Sequence, residues 1–304
     1  MNTVNTVKTI TLQANAKINL LLDITGRRPD GYHTITGVMQ AVSLADTVTV
    51  TASGEGAGRP TITLACSDPT LPTDGKNLAW RAAEVFFTVV PSVGCDALTI
   101  DIDKRIPAAA GMAGGSTDAA ATLRALNDLF DHPLSEEQLL AVGLSLGADV
   151  PFCLVGGTQL TEGVGERMTP LCPLPACAIL VACAGEGIST PAAYRALDER
   201  YGNFAPNAYA PHLDTLAALN DALTAGNLAG VCAHTFNLFE TVILPAHPTA
   251  CRIKETLLAH AAITAMMSGS GPSVFGIFAS DNEAARAADA LREQGIHAYI
   301  CHAI

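Results

Sequence analysis

A chain of 304 residues, 49% hydrophobic and 15% charged, can bury a large core, which excludes intrinsic disorder. Its 17 Lys and Arg stand against 29 Asp and Glu, and the formal charge of −12 excludes a general attraction to nucleic acid or to anionic membrane surfaces. An anionic ligand would need a local cationic pocket, for which Lys17, Arg27, Arg28, Lys104 and Arg105 are the candidates.

Residues 8–25 read as a strand, and the Gly-Arg-Arg-Pro-Asp-Gly run at 26–31 as a turn. Val48, Val50 and Ala52 alternate with threonines, predicting a half-buried strand over 46–52, with a similar one over 61–65. Asn77 can cap a helix through Leu78, Ala82, Val85 and Phe86. Leu98, Ile100 and Ile102 alternate with polar residues, so a strand delivers the chain into the small-residue loop that follows. Ser135 and Gln138 have capping-box spacing for a helix ending near Leu146. A turn is expected over 147–151 and a strand over 152–161; Gly163, Gly165 and Pro170 then break the pattern, and the Leu-Cys-Pro-Leu-Pro run from 171 suggests a boundary.

The second half opens on a buried strand at 176–184. Thr190 caps and Pro191 starts a helix that carries Tyr194. Helices are expected over 212–225, 228–241 and 247–260. A strand at 263–267, a Ser-Gly-Ser-Gly-Pro-Ser turn, a strand at 273–279, a helix over 282–294 and a last strand at 296–301 complete the chain. That order suits an α+β layer with a split βαβ arrangement.

The nine cysteines contain no CxxC pair and mostly sit beside apolar neighbours, which reads as small buried groups in a reducing compartment. The first fifteen residues lack a signal-peptide pattern, and the uncharged stretch 261–280 is broken by its Ser-Gly-Ser-Gly-Pro turn. A cytoplasmic protein is expected.

The stretch 104–130, KRIPAAAGMAGGSTDAAATLRALNDLF, is the chemical centre of the chain. Small residues feed a segment whose apolar positions Ala119, Leu123, Leu126 and Phe130 have helical spacing. A helix N-terminus entered from such a loop exposes unpaired N–H groups at the positive end of the helix dipole, which suits phosphate. Taken alone, the same pattern also describes a plain tight connection.

Three segments together carry a family resemblance: Ala16-Lys17-Ile18-Asn19-Leu20 with Asp30-Gly31-Tyr32-His33, then PAAAGMAGGSTDAA at 107–120, then Ser268-Gly269-Ser270-Gly271-Pro272. In this order and spacing the chain resembles the GHMP small-molecule kinases, and within them the branch whose substrate carries a cytidine diphosphate group. LGADVPF at 146–152, EGVGE at 162–166 and FNLFE at 236–240 support it. The resemblance covers essentially the whole chain; each motif is modest and the combination is specific.

The resemblance implies an α+β, two-domain fold, with an N-terminal ATP-binding α/β domain over 1–170 and a C-terminal ferredoxin-like substrate domain over 171–304. It implies transfer of the ATP γ-phosphoryl group to a hydroxyl (position 2) of a methylerythritol moiety, for the non-mevalonate route to isoprenoid precursors. ATP would lie along Pro107, Ala108, Ala109, Ala110, Gly111, Met112, Ala113, Gly114, Gly115, Ser116 and Thr117. Mg²⁺ is expected from the chemistry, with no protein ligand named; the partner is a small molecule, neither nucleic acid nor membrane, and no oligomeric state is assigned. By the same analogy Asp149 accepts or orients the substrate hydroxyl proton, and Lys17 keeps Asp149 ionised and stabilises charge on the transferring group. Asn19, one strand period from Lys17, would bind substrate near the reacting end. His33 would hydrogen-bond the cytosine edge while Tyr32 and Tyr194 stack on its two faces, each stack contributing roughly 1–3 kcal/mol. Without the resemblance, Asp149 reads as a cap or surface charge, Tyr194 as helix packing and Tyr32-His33 as an exposed turn.

The loop departs from the family, which has glycine at Ala109 and Ala113, leucine at Met112 and serine at Thr117. Either the two alanines keep right-handed or extended angles, or ATP binds less tightly. Ser116 and Thr117 can cap the helix, touch the phosphates or approach the metal, with capping the plainest role. Homoserine and mevalonate kinases of the same family should lack the DGYH element and the Tyr194 aromatic. A Rossmann-type binding protein would place glycines directly after its first strand, which this chain does not.

Overall fold

A computed structural model describes residues 7–56, 59–183, 185, 187–205 and 208–304. In chain order these form β1 (Val7–Arg27), β2 (His33–Ser53), β3 (Thr61–Cys66), α1 (Leu78–Val89), β4 (Ala97–Asp103), α2 (Gly114–Leu129), α3 (Glu136–Leu146), α4 (Val150–Val155), β5 (Thr158–Gly163) and β6 (Arg167–Pro170). There follow β7 (Ala178–Ala182), α5 (Thr190–Arg200), α6 (Leu213–Thr224), α7 (Leu228–Ala233), β8 (Phe236–Asn237), α8 (Glu240–Ile243), α9 (Pro248–Ala259), β9 (Thr264–Met267), β10 (Val274–Phe278), α10 (Asp281–Glu293) and β11 (Ala298–Cys301). They gather into two compact units, each assembled from separate chain segments, with the division falling inside β1 and β2.

The first unit comprises Met1–Ala16, Ala45–Ile106 and Ala113–Val155. In it β4 pairs antiparallel with β2, Ile100 opposite Val50, and parallel with β3, Ile100 opposite Leu64. Leu98, Ile100 and Ile102 point into one core with Phe86 of α1 and with Leu123 and Leu126 of α2, all at most 3% exposed. Asn77 Oδ1 caps α1 by accepting from Ala79 N at 2.9 Å, and Ser135 with Gln138 closes the capping box of α3.

The second unit comprises Lys17–Leu44, Pro107–Met112 and Gly156–Ile304. The second half of β1 pairs parallel with β8, Leu21 opposite Phe236, and the first half of β2 pairs antiparallel with β5, Val38 opposite Leu160. A separate sheet runs β11-β7-β10-β9, antiparallel throughout. Its core side chains Leu180, Ala182, Val274 and Phe278 pack with Ile253 and Leu257 of α9 and with Ala287 and Leu291 of α10. This is the split βαβ arrangement expected of a ferredoxin-like layer.

Several elements differ from expectation. The strand foreseen over 46–52 begins at His33, because Val38, Met39, Ala41 and Val42 are buried on both faces and leave no alternation to read. Residues 150–155, expected as turn and strand, form α4; Gly156 and Gly157, with φ of +72° and +68°, then reverse the chain into β5. The helix expected over 228–241 is interrupted at Phe236–Asn237, which the edge of β1 recruits as a short parallel strand. Residues 167–170, read as a break, pair with β5. The cap of α5 is Ser189 rather than Thr190, whose hydroxyl instead lies 2.9 Å from Ser270 Oγ.

Candidate active site

The loop after β4 brings two alanines into the left-handed region: Ala109 has φ +50° and Ala113 φ +61°, ψ +27°. Of the two alternatives left open by the sequence, that of right-handed or extended angles at these alanines is thereby excluded. Left-handed backbone costs an L-residue roughly 1–2 kcal/mol. Changing either alanine to glycine relieves this but adds freedom to the unfolded chain, worth about 0.4–1 kcal/mol in the opposite sense. Ala109→Gly and Ala113→Gly are therefore expected to be neutral to stabilising by up to about 1 kcal/mol each in urea denaturation, with ATP KM equal or lower. A large rise in KM would show that the methyl groups hold the loop in shape.

Ala113 is also the N-cap of α2, and no side chain caps that end. The capping role foreseen for Ser116 and Thr117 is thus corrected: Thr117 Oγ1 donates to the Asn15 carbonyl at 2.8 Å, and Ser116 is half-buried within the first turn. The opening turn Gly114-Gly115-Ser116 keeps its N–H groups uncapped by any side chain, with Gly115 exposed. That is the chemistry an anion seeks at a helix N-terminus.

Beside this turn lies a cluster that periodicity alone did not reveal. Lys104 Nζ donates to Asp46 Oδ2 and, at 2.7 Å, to Asp118 Oδ2; the three side chains are 7%, 0% and 4% exposed. Asp46 Oδ1 accepts in addition from Arg105 N and Ile106 N, whereas Asp118 Oδ1 is buried without a partner. A Cβ built on Gly114 would stand 3.4 Å from Lys104 Nζ, so the ammonium sits under the first residue of α2. Burial pushes the Asp118 carboxyl up to about 7, Lys104 working against the rise and Asp46 with it. For Lys104 burial lowers, but the two carboxylates prevail and hold the ammonium above the ordinary lysine range. Lys104 stood out in the sequence only as a candidate cation; Asp118 follows Thr117 directly and reads as one more helix residue.

In the second unit Lys17 is 4% exposed on β1, and its ammonium donates to Asn19 Oδ1 at 2.6 Å. The partner is neutral, so a buried charge is solvated by an amide, an arrangement that favours an arriving anion. Asn19, 1% exposed, leaves Nδ2 without a partner. Lys17 N also donates to the Met112 carbonyl at 3.2 Å, tying the strand to the loop.

The Ser268–Pro272 turn closes on the same place. Ser268 Oγ donates to the Gly111 carbonyl at 3.0 Å. A Cβ on Gly111, whose φ is +77°, would stand 2.1 Å from the Ser268 carbonyl oxygen, and one on Gly269 would stand 2.8 Å from the Gly111 oxygen and 3.3 Å from Lys17 Nζ. Both positions require glycine for conformation and for space. Asn237 fastens the turn from beneath, Nδ2 donating to the carbonyls of Met267 (2.7 Å) and Gly269 (2.9 Å), and Glu240 Oε1 accepts from Met267 N at 2.8 Å. These two are the polar members of the FNLFE segment, noted in the sequence as a match without a role.

His33, 9% exposed, stacks on Tyr194 with centroids 4.6 Å apart and planes 18° from parallel, while Phe204 meets it edge-on at 5.5 Å. Its Nε2 lies 2.7 Å from Asp198 Oδ1. Arg27 NH1 is 3.5 Å from the other Asp198 oxygen. Tyr32 is 67% exposed at the turn. The structure therefore brings His33 and Tyr194 into direct contact and adds Asp198, which sequence reasoning missed because it lies 165 residues from His33.

Asp149 belongs to the first unit, half-buried at the start of α4, where its carbonyl accepts from Cys153 N at 3.1 Å. Among the described residues no group of three or more His, Cys, Asp and Glu side chains is arranged to hold a metal ion, and no helix is long and apolar enough to cross a membrane.

Comparison with known proteins places the chain in a family. Residues 77–157 match the GHMP kinases N terminal domain and residues 215–297 the GHMP kinases C terminal domain. The chain is 43% identical over 282 residues to a 4-diphosphocytidyl-2-C-methyl-D-erythritol kinase of Caldicellulosiruptor saccharolyticus, covering 92% of each chain. It is 42% identical over 299 residues to the protein of that name from Gloeobacter violaceus, covering 97% of this chain and 94% of that one. Among solved structures, a 4-(cytidine 5'-diphospho)-2C-methyl-D-erythritol kinase is similar with a TM-score of 0.79 and 33% identity, over 97% of this chain and 99% of that one. A homoserine kinase from Cytophaga hutchinsonii shares the fold at a TM-score of 0.73 and 18% identity, over 97% of this chain and 94% of that one.

Proposed function

The chain belongs to the GHMP kinase family, and from that premise we propose that it phosphorylates 4-diphosphocytidyl-2-C-methyl-D-erythritol at its position-2 hydroxyl, with ATP as donor, in the non-mevalonate route to isoprenoid precursors. What carries the reading within the family is similarity above 40% identity along more than nine-tenths of the chain to relatives of that name, against 18% to a homoserine kinase of the same fold.

In this reading the uncapped first turn of α2 and the loop 107–113 receive the ATP phosphates. Mg²⁺, arriving with the nucleotide, would supply neutralisation of the phosphate charge, and no side chain of this chain is assigned to hold it. The buried Lys17 ammonium neutralises charge on the transferring group, and its hydrogen bond to Asn19 fixes its direction. Asp149 accepts the proton of the substrate hydroxyl, leaving an alkoxide-like oxygen for in-line attack on the γ-phosphorus. His33 reads the edge of the cytosine, and Tyr32 and Tyr194 offer it ring faces. The division into an ATP-binding part over 1–170 and a substrate part over 171–304 belongs to the same proposal.

The test is ATP consumption with the cytidine-diphospho substrate, mevalonate and homoserine in parallel. Turnover confined to the first is expected; turnover of another with none of the first overturns the reading.

A further inference from the structure

We propose that Asp198 decides which pyrimidine this chain accepts, by fixing the tautomer of His33. The inference rests on the reading of His33 as the side chain that faces the base. A carboxylate only accepts hydrogen bonds, so the His33 nitrogen 2.7 Å from Asp198 Oδ1, Nε2, must carry a proton. In the neutral ring that leaves Nδ1 as a bare acceptor. Among the described residues Nδ1 has no hydrogen-bond partner, and the Tyr194 stack with the Phe204 edge contact holds the ring plane, so the direction of the lone pair is set. Cytosine presents an exocyclic amine where uracil presents a carbonyl oxygen. An acceptor at Nδ1 takes the amine and repels the carbonyl.

Arg27 makes the assignment testable. Its guanidinium can only donate; NH1 donates to Asn203 Oδ1 at 3.2 Å and stands 3.5 Å from Asp198 Oδ2 as a charge contact, so the cation favours an oxygen over an NH₂ group on that side of position 198. With Asp198→Asn the amide oxygen goes to Arg27 and the NH₂ group faces His33 Nε2. Nε2 must then accept, the proton moves to Nδ1, and the ring offers a donor to the base. Removing a carboxylate that orients a histidine has this effect in serine proteases, where the aspartate-to-asparagine change selects the wrong tautomer.

Binding of CMP and of UMP is measured by calorimetry. The wild-type chain is expected to favour CMP by about ten- to a hundredfold, the range one polar contact supplies. Asp198→Asn brings the ratio to about one or reverses it, and Asp198→Ala, which leaves the tautomer unpinned, falls between them. A merely structural role would weaken both nucleotides alike, so an unchanged ratio in Asp198→Asn overturns the inference and leaves the reading of His33 standing. Wild-type affinity for CMP in His33→Ala, or binding of neither nucleotide by the wild type, overturns the reading itself and the inference with it.

Discussion

Asp149→Asn is expected to lower kcat by about 10²–10⁴-fold, the range that a positioned general base contributes, while the Kd of the cytidine substrate stays within about twofold. Asparagine matches the carboxylate in size but cannot take a proton, so the hydroxyl keeps its hydrogen as it attacks. The variant should fold, because α4 uses the backbone carbonyl of residue 149 and not its side chain. Substrate affinity is expected to survive because the groups assigned to the base, His33 and Tyr194, pack in the other unit and make no use of Asp149. Steady-state kinetics with calorimetric substrate titration checks both halves. Retention of more than about a tenth of the wild-type turnover would remove Asp149 from the role of base.

The second large effect is on stability. Lys104→Met leaves Asp46 and Asp118 facing one another without the ammonium they share, both almost fully buried. Breaking a buried ion pair by removing one partner typically costs about 3–5 kcal/mol. The loss should depend on pH in a defined direction. Burial raises the folded-state carboxyl of Asp118 to about 7, so between the ordinary aspartate value and that point the folded chain holds a proton that the unfolded chain releases. Stability from this group therefore increases as pH falls through about 7 towards 4, and is absent above it. Without the ammonium that works against its rise, the Asp118 carboxyl of Lys104→Met stands higher than in the wild type, so the deficit should shrink as pH falls towards about 7 from above and stay level below it. Urea denaturation of wild type and variant across that range reads the difference directly; a deficit independent of pH would show that Asp118 is not the group that titrates. Because Lys104 lies under Gly114, the same variant is expected to raise ATP KM more than it lowers kcat.

Local chemistry was legible wherever a residue acts on its near neighbours. Asn77 and Ser135 announced their helices because a cap is satisfied within three residues of itself. Ile100 and its alternating neighbours announced β4 because one face of that strand is buried and the other is not. Where burial is two-sided, as over 35–42, the period vanished and half of β2 with it. Where a strand edge recruited a distant segment, as β1 recruits Phe236, helical spacing was overruled.

The candidate site divides the same way. Residue order alone shows that a strand, a loop of small residues and a helix follow one another at 97–129, that Lys17 stands in an apolar strand, and that the motif order is that of the GHMP kinases. The left-handed angles of Ala109 and Ala113, the union of Asp46 with Lys104 from 58 residues away, and the reach of Asp198 to His33 across 165 emerge with the folded chain. The physical reason is one of range. Period and capping are set by forces along a few residues of chain, whereas the partner of a buried charge is chosen by whatever the fold places within hydrogen-bond distance, and nothing local records that choice.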